Sequence, residues 1–211
     1  MNHFSHAGIG PGRGRRRLPE PRPAEPGQWP KLEAALAVVN RDLTATLPGQ
    51  DPLILMVQPA CEASAPGAFD RDQVYVAMSD GRWHGNPVNA CDLEEDDPPE
   101  PDDAATVLHV VADAAQSTVV ELRWQVWPVC PEHRIGMHRR PAGTEGDWYE
   151  GATDAGGPPV WWCRGDRNGD GHDVALVGQL AATLPGRQRR ALRRVERERN
   201  RRRTAGDPGQ G

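Results

Sequence analysis

Proline and glycine break this chain into short pieces, and their placement limits what can pack. Together they fill 44 of the 211 positions, close to the level of a low-complexity sequence. They crowd into residues 7–30, 96–101, 141–159 and 204–211. Segments of that composition bury too little apolar surface to offset the entropy lost on ordering. About 130 residues remain, enough for one modest domain with a limited core. The chain has two Phe and two Tyr but seven Trp, so tryptophan is expected to anchor much of that core.

Residues 1–28 carry Gly, Pro, Arg and Ser without periodicity and read as a disordered leader. From Pro30 the pattern changes. Leu32, Leu36, Val39, Leu43 and Leu47 recur at helical spacing with Ala35 on the same face, which predicts an amphipathic helix. Pro30 suits the first turn, and Pro48-Gly49 stops it. The run Leu53-Ile54-Leu55-Met56-Val57 predicts a buried strand, and Gln73 to Met78 a second. Asp80-Gly81 supplies a hairpin turn into a short third strand, Arg82-Trp83-His84, which Pro87 confines to an edge or an end.

Residues 92–103 hold eight acids, no base and three prolines, and read as a solvated linker able to fold back on a basic segment. Asp102 and Asp103 stand where a following helix needs caps. That helix is expected from Ala104 to about Gln125. Val107, Val111, Ala114, Thr118, Leu122 and Val126 form its stripe, widened by Leu108, Val110 and Val119. His109 and Asp113 would meet on its solvent-facing surface. Pro128 ends the helix two residues before Cys130.

Cys130-Pro131-Glu132-His133 sets two metal-ligand types across a tight turn, with Gly136 available for a positive φ. Cys163 and His172 offer a second pair, provided residues 164–171 loop out; His138 competes for the fourth position. Three states fit these residues. They are a structural Cys2His2 zinc with no open position for catalysis, buried unliganded thiols, and a Cys130–Cys163 disulfide. Trp124, Trp127, Trp161 and Trp162 flank both halves and could form either an apolar shell or simply the core. A hydrolytic site would instead use Cys130, His133 and Cys163 with a water and Glu132 as base.

Over about seven residues the Cys-Pro-x-His turn resembles one knuckle of a zinc ribbon, with His133 where a second Cys would stand. The wider pattern, Trp-Pro-x-Cys-Pro-x-His followed by Trp-Trp-Cys and Gly-His, looks like that of small actinomycete proteins. That likeness covers roughly residues 104–180 and implies no activity. Asp166, Asn168 and Asp170 occupy alternate positions of an EF-hand-type calcium loop. The loop also looks like those of integrin-type β-propeller repeats. It departs from both patterns: Val177 stands where the EF-hand needs a bidentate acid, Val174 where the propeller loop needs Asp, and there is one copy.

The net charge of −5 conceals an asymmetry, because residues 187–203 carry ten Arg against Glu196 and Glu198. Arg and Leu favour a helix here, and Ala191, Leu192 and Val195 give it a narrow apolar stripe. Arg189, Arg190, Arg193, Arg194 and Arg197 are candidate contacts to nucleic acid, an anion or an acidic protein surface. The alternative is a solvated tail balancing an acidic body. No signal-like apolar run or bilayer-length segment occurs, so a cytoplasmic, reducing location is expected. G-x-S-x-G, P-loop, G-x-G-x-x-G and H-E-x-x-H motifs are absent.

The expectation is therefore an α+β protein, a small helix–strand–hairpin–helix domain with a C-terminal metal-braced module and disordered termini. The leader (1–28) precedes a helix and hairpin region (29–91), an acidic linker (92–103), a helix and Cys/His module (104–184) and an Arg-rich tail (185–211). The expected role is a zinc-stabilised interaction or nucleic-acid-associated module, with a zinc hydrolase or a calcium-loop protein as the alternatives.

Overall fold

The computed structural model describes residues 19–60, 71–89, 99–144, 157–166 and 171–205. The protein is α+β; the described residues form three helices and two three-stranded antiparallel sheets. Helix α1 (Pro30–Thr46) buries Leu32, Ala35, Leu36, Val39 and Leu43. Proline at its start costs no hydrogen bond, because the first amides of a helix have no internal partner. Glu33 reaches back to accept from the amides of Gly27 at 2.9 Å and Trp29 at 3.2 Å, which fixes the entry. Gly49, at φ +89°, makes the exit turn.

The first sheet runs β1 (Arg22–Pro23), β2 (Ile54–Gln58), β3 (Gln73–Ala77). Leu55, Val57, Val74 and Val76 point into the core, while Met56 pairs with Tyr75 across the ladder. Strand β1 lies within the stretch expected to be a leader. Pro23 is tolerated because an edge strand leaves one side of its backbone unpaired. The Asp80-Gly81 turn forms, with Gly81 at φ +85° and its amide 2.9 Å from the Met78 oxygen. The expected third strand reduces to one bridge, Ala77 to Trp83. Gly85 at φ +97° turns the chain away before Pro87, so pairing cannot continue.

The end of the acidic segment is not a solvated linker. Glu100 is buried and accepts the Leu32 amide at 2.9 Å, and Asp102 pairs with Lys31 at 2.8 Å. Both acids sit at the α1 N-terminus, where unpaired amides and the helix dipole attract negative charge. Asp103 caps α2 (Ala104–Arg123), accepting from Thr106 N at 2.7 Å. The helix ends earlier than expected, because Trp124 turns left-handed at φ 51°.

Helix α2 buries Val107, Val111, Ala112, Ala114, Ala115, Thr118 and Val119. Its alanines let α1 pack closely, and Thr118 donates to the Val76 carbonyl at 2.9 Å. The second sheet, unforeseen as strands, runs β4 (His138–Pro141), β5 (Pro159–Cys163), β6 (His172–Leu176). A 3-10 turn (Leu180–Ala182) and helix α3 (Gly186–Ala205) follow. One continuous core joins α1, α2 and both sheets. No helix among the described residues is long and apolar enough to cross a membrane.

Helix α1 is joined to the second sheet by Asp42, which is fully buried. Its carboxylate accepts from Trp161 Nε1 at 2.7 Å, Gly178 N at 2.6 Å and Leu180 N at 2.7 Å. Burial pushes its pKa up, against the downward pull of these donors and of Arg41. Asp42→Ala leaves two buried donors (Trp161 Nε1 and Leu180 N) and one part-buried donor (Gly178 N) without a partner, so it should cost roughly 3–5 kcal/mol. Urea unfolding at pH 7 should show the lower midpoint with an unchanged slope; a midpoint within error of wild type would contradict this account.

Candidate metal centre

Residues 127–137 leave α2 as a tight loop. Cys130 N donates to Ile135 O at 2.9 Å, Arg134 N to Cys130 O at 3.0 Å and Met137 N to Pro128 O at 2.9 Å. The positive φ that the turn requires falls on Arg134, at 59°, rather than on Gly136. Gly136 serves close approach instead, since a Cβ there would lie 2.9 Å from Val126 Cγ1.

Two anchors hold this loop. Gln116 on α2 donates its amide to Trp127 O at 3.0 Å and Met137 O at 2.6 Å, clasping both arms. Trp127 is buried, donates to Thr46 Oγ1 at 2.8 Å and meets Trp161 edge-on at 5.5 Å. Gln116 carries no signature in the sequence, because a polar residue beside a helical stripe looks like any surface position. Trp124, expected near the site, is 90% exposed at the α2 end.

The second half of the site comes from a hairpin. Cys163 on β5 stands directly opposite His172 on β6, so their nine-residue separation disappears across the ladder. The connecting loop brings Gly165 N to 3.4 Å from Cys163 Sγ. In the first half His133 N lies 3.5 Å from Cys130 Sγ. Each sulfur therefore has a backbone amide directed at it.

Among the described residues, Cys130, His133 and His172 bring their ligand atoms within 4.8 Å of one another, a group that could hold a metal ion. Cys163 lies outside that group but borders it at His133: its Sγ is 3.5 Å from His133 Nδ1, and Cys130 Sγ is 3.7 Å from the same nitrogen. The two imidazoles lie 5.2 Å apart, and Glu132 Oε2 is 3.6 Å from His172 Nε2. Both thiols are free and buried, with no disulfide between them. Burial pushes the Cys163 thiol up, opposed by the Gly165 amide and reinforced by Cys130 and Glu132.

The remaining candidates lie elsewhere. His138 is exposed on β4, opposite Trp162, and opens on a cleft of about 480 Å³ lined also by His84, Glu121 and Arg139. Of the calcium-type residues Asp166 is exposed, while Asn168 and Asp170 fall outside the described residues. Val177, at the position of the missing acid, is buried. Arg189, Arg190, Arg193, Arg194 and Arg197 are exposed on α3. Asp113 does not simply face solvent beside His109, because it pairs with Arg139 on β4 at 3.0 Å. Compared with protein-family models, curated proteins and solved structures, the chain matches none.

His109 has its pKa lowered to about 4, first by burial and second by Arg139. The unfolded chain takes up this proton near pH 6.5, so stability should fall as pH drops from about 6.5 towards about 4. Histidine NMR should show one imidazole titrating near the lower end of that window and still neutral at pH 6. His109→Gln should flatten the stability profile there; an His109 midpoint near 6.5 would exclude the effect.

Proposed function

We propose that Cys130, His133, Cys163 and His172 hold one structural zinc ion, and that the protein is a non-catalytic interaction module braced by it. The carrying observation is the convergence of two sulfurs on one nitrogen, at 3.7 and 3.5 Å from His133 Nδ1. Tetrahedral zinc with Zn–S near 2.3 Å and Zn–N near 2.0–2.1 Å requires S···N edges of about 3.6 Å. A lone imidazole proton cannot serve both sulfurs well, whereas one ion between them can. The knuckle's likeness to a zinc ribbon fits the same reading. Glu132, beside His172 Nε2, is placed to orient that ring, as carboxylates beside ligating histidines do. That position favours a support role over a general base. Four protein ligands leave no coordination site for water.

Native mass spectrometry of protein purified without added metal should find one zinc per chain. Cobalt substitution should give thiolate-to-metal absorption that weakens in Cys130→Ser and in Cys163→Ser, and His172→Ala should lower the metal affinity. Either serine variant should melt lower by about 10 °C, because site binding energy is folding energy. Metal-free native protein, or Cys130→Ser with unchanged melting, would overturn the proposal.

A further inference from the structure

Between Arg187 and Arg197, helix α3 gathers its basic residues onto one side. With 100° per residue, Arg187, Arg189, Arg190, Arg193, Arg194 and Arg197 fall within an arc of about 160°. Ala191, Leu192 and Val195 occupy the opposite side, and Glu198 lies outside the arc. All six arginines are exposed. From Arg187 to Arg197 the helix rises ~15 Å, which is about one positive charge per 3 Å of axis. Several of these arginines stand four apart (Arg189 and Arg193, Arg190 and Arg194, Arg193 and Arg197), and like charges at that spacing destabilise a helix. A counter-charge lying along this face would remove the penalty.

From this arrangement we propose that the arginine face of α3 binds the backbone of double-stranded DNA, lying in the major groove without reading sequence. A helix of ~10–12 Å diameter fits a groove ~12 Å wide, and an arc of about 160° reaches the phosphates on both walls. Duplex RNA is excluded by size, because its major groove is deep and narrow. Single strands lack their usual partner, since α3 contains no aromatic residue on which bases could stack. Guanidinium groups suit phosphate through paired donors. The face does not depend on the Cys/His site, so the two proposals stand or fall separately.

The test is fluorescence anisotropy of full-length, metal-replete protein with a 20-base-pair DNA duplex of arbitrary sequence across a salt series. Six neutralised phosphates predict a log–log salt slope of about −5. The triple variant Arg189→Gln, Arg193→Gln, Arg197→Gln should make the slope shallower by about 3 and weaken low-salt binding more than 100-fold. A charge-matched control, Arg41→Gln, Arg82→Gln, Arg123→Gln, should leave both nearly unchanged. Circular dichroism should report increased helicity on duplex addition. Absence of duplex binding, equal loss in the control, or tighter binding to duplex RNA, single strands, anionic vesicles or an acidic peptide would each overturn the proposal.

Discussion

Asp42 sets the arrangement on which everything else in this molecule depends. A carboxylate inside an apolar core is costly unless its oxygens are matched by donors. Here the donors are an indole on β5 and two backbone amides just after β6. Helix α1 is thereby tied to the second sheet as well as to the first, where Asn40 exchanges hydrogen bonds with the Leu53 backbone at 2.8 and 3.0 Å. Trp161 stands two residues before Cys163, so the contact that ties α1 to the second sheet also positions the Cys163 sulfur beside the Cys/His cluster. The indole's edge-on contact with Trp127 extends the same support to the Cys130 loop.

The candidate metal site therefore sits where two independently anchored segments meet. Gln116 and Trp127 hold the first segment against the helices, and the β5–β6 ladder holds the second. An ion between them would add a link where the packed core is thin. The β4–β5–β6 sheet is small, and much of its outer strand β6 is only half-buried. Arg140 compensates in part, pairing with Asp173 at 2.7 Å and lying 4.8 Å above the Trp162 ring.

Charge is distributed by the same economy of local need. The acids nearest α2 are drawn to helix N-termini, with Glu100 and Asp102 at α1 and Asp103 at α2. They are spent on capping rather than on the arginine helix. Helix α3 keeps its positive face towards solvent, and its apolar side is too narrow to bind it firmly to the body.

Local rules made α1 and α2 legible: apolar residues at helical spacing, Pro30 at the start, Asp103 as cap and Gly49 after the end. The ligand types Cys130, His133, Cys163 and His172 were legible too, because few residues do metal chemistry and their spacing is short. The second sheet was not. Its strands are four or five residues long, two of them bounded by a proline, and gain their stability from pairing that sequence spacing does not display. Nor could sequence say that Cys163 and His172 stand opposite each other, since register is decided between strands. The burial of Asp42, the clasp of Gln116 and the positive φ at Arg134 likewise had no local signature. Sequence by itself determined the helices and the chemistry on offer, because those follow from neighbours along the chain. Only tertiary structure decided which groups meet, because buried polar atoms find partners wherever packing brings them.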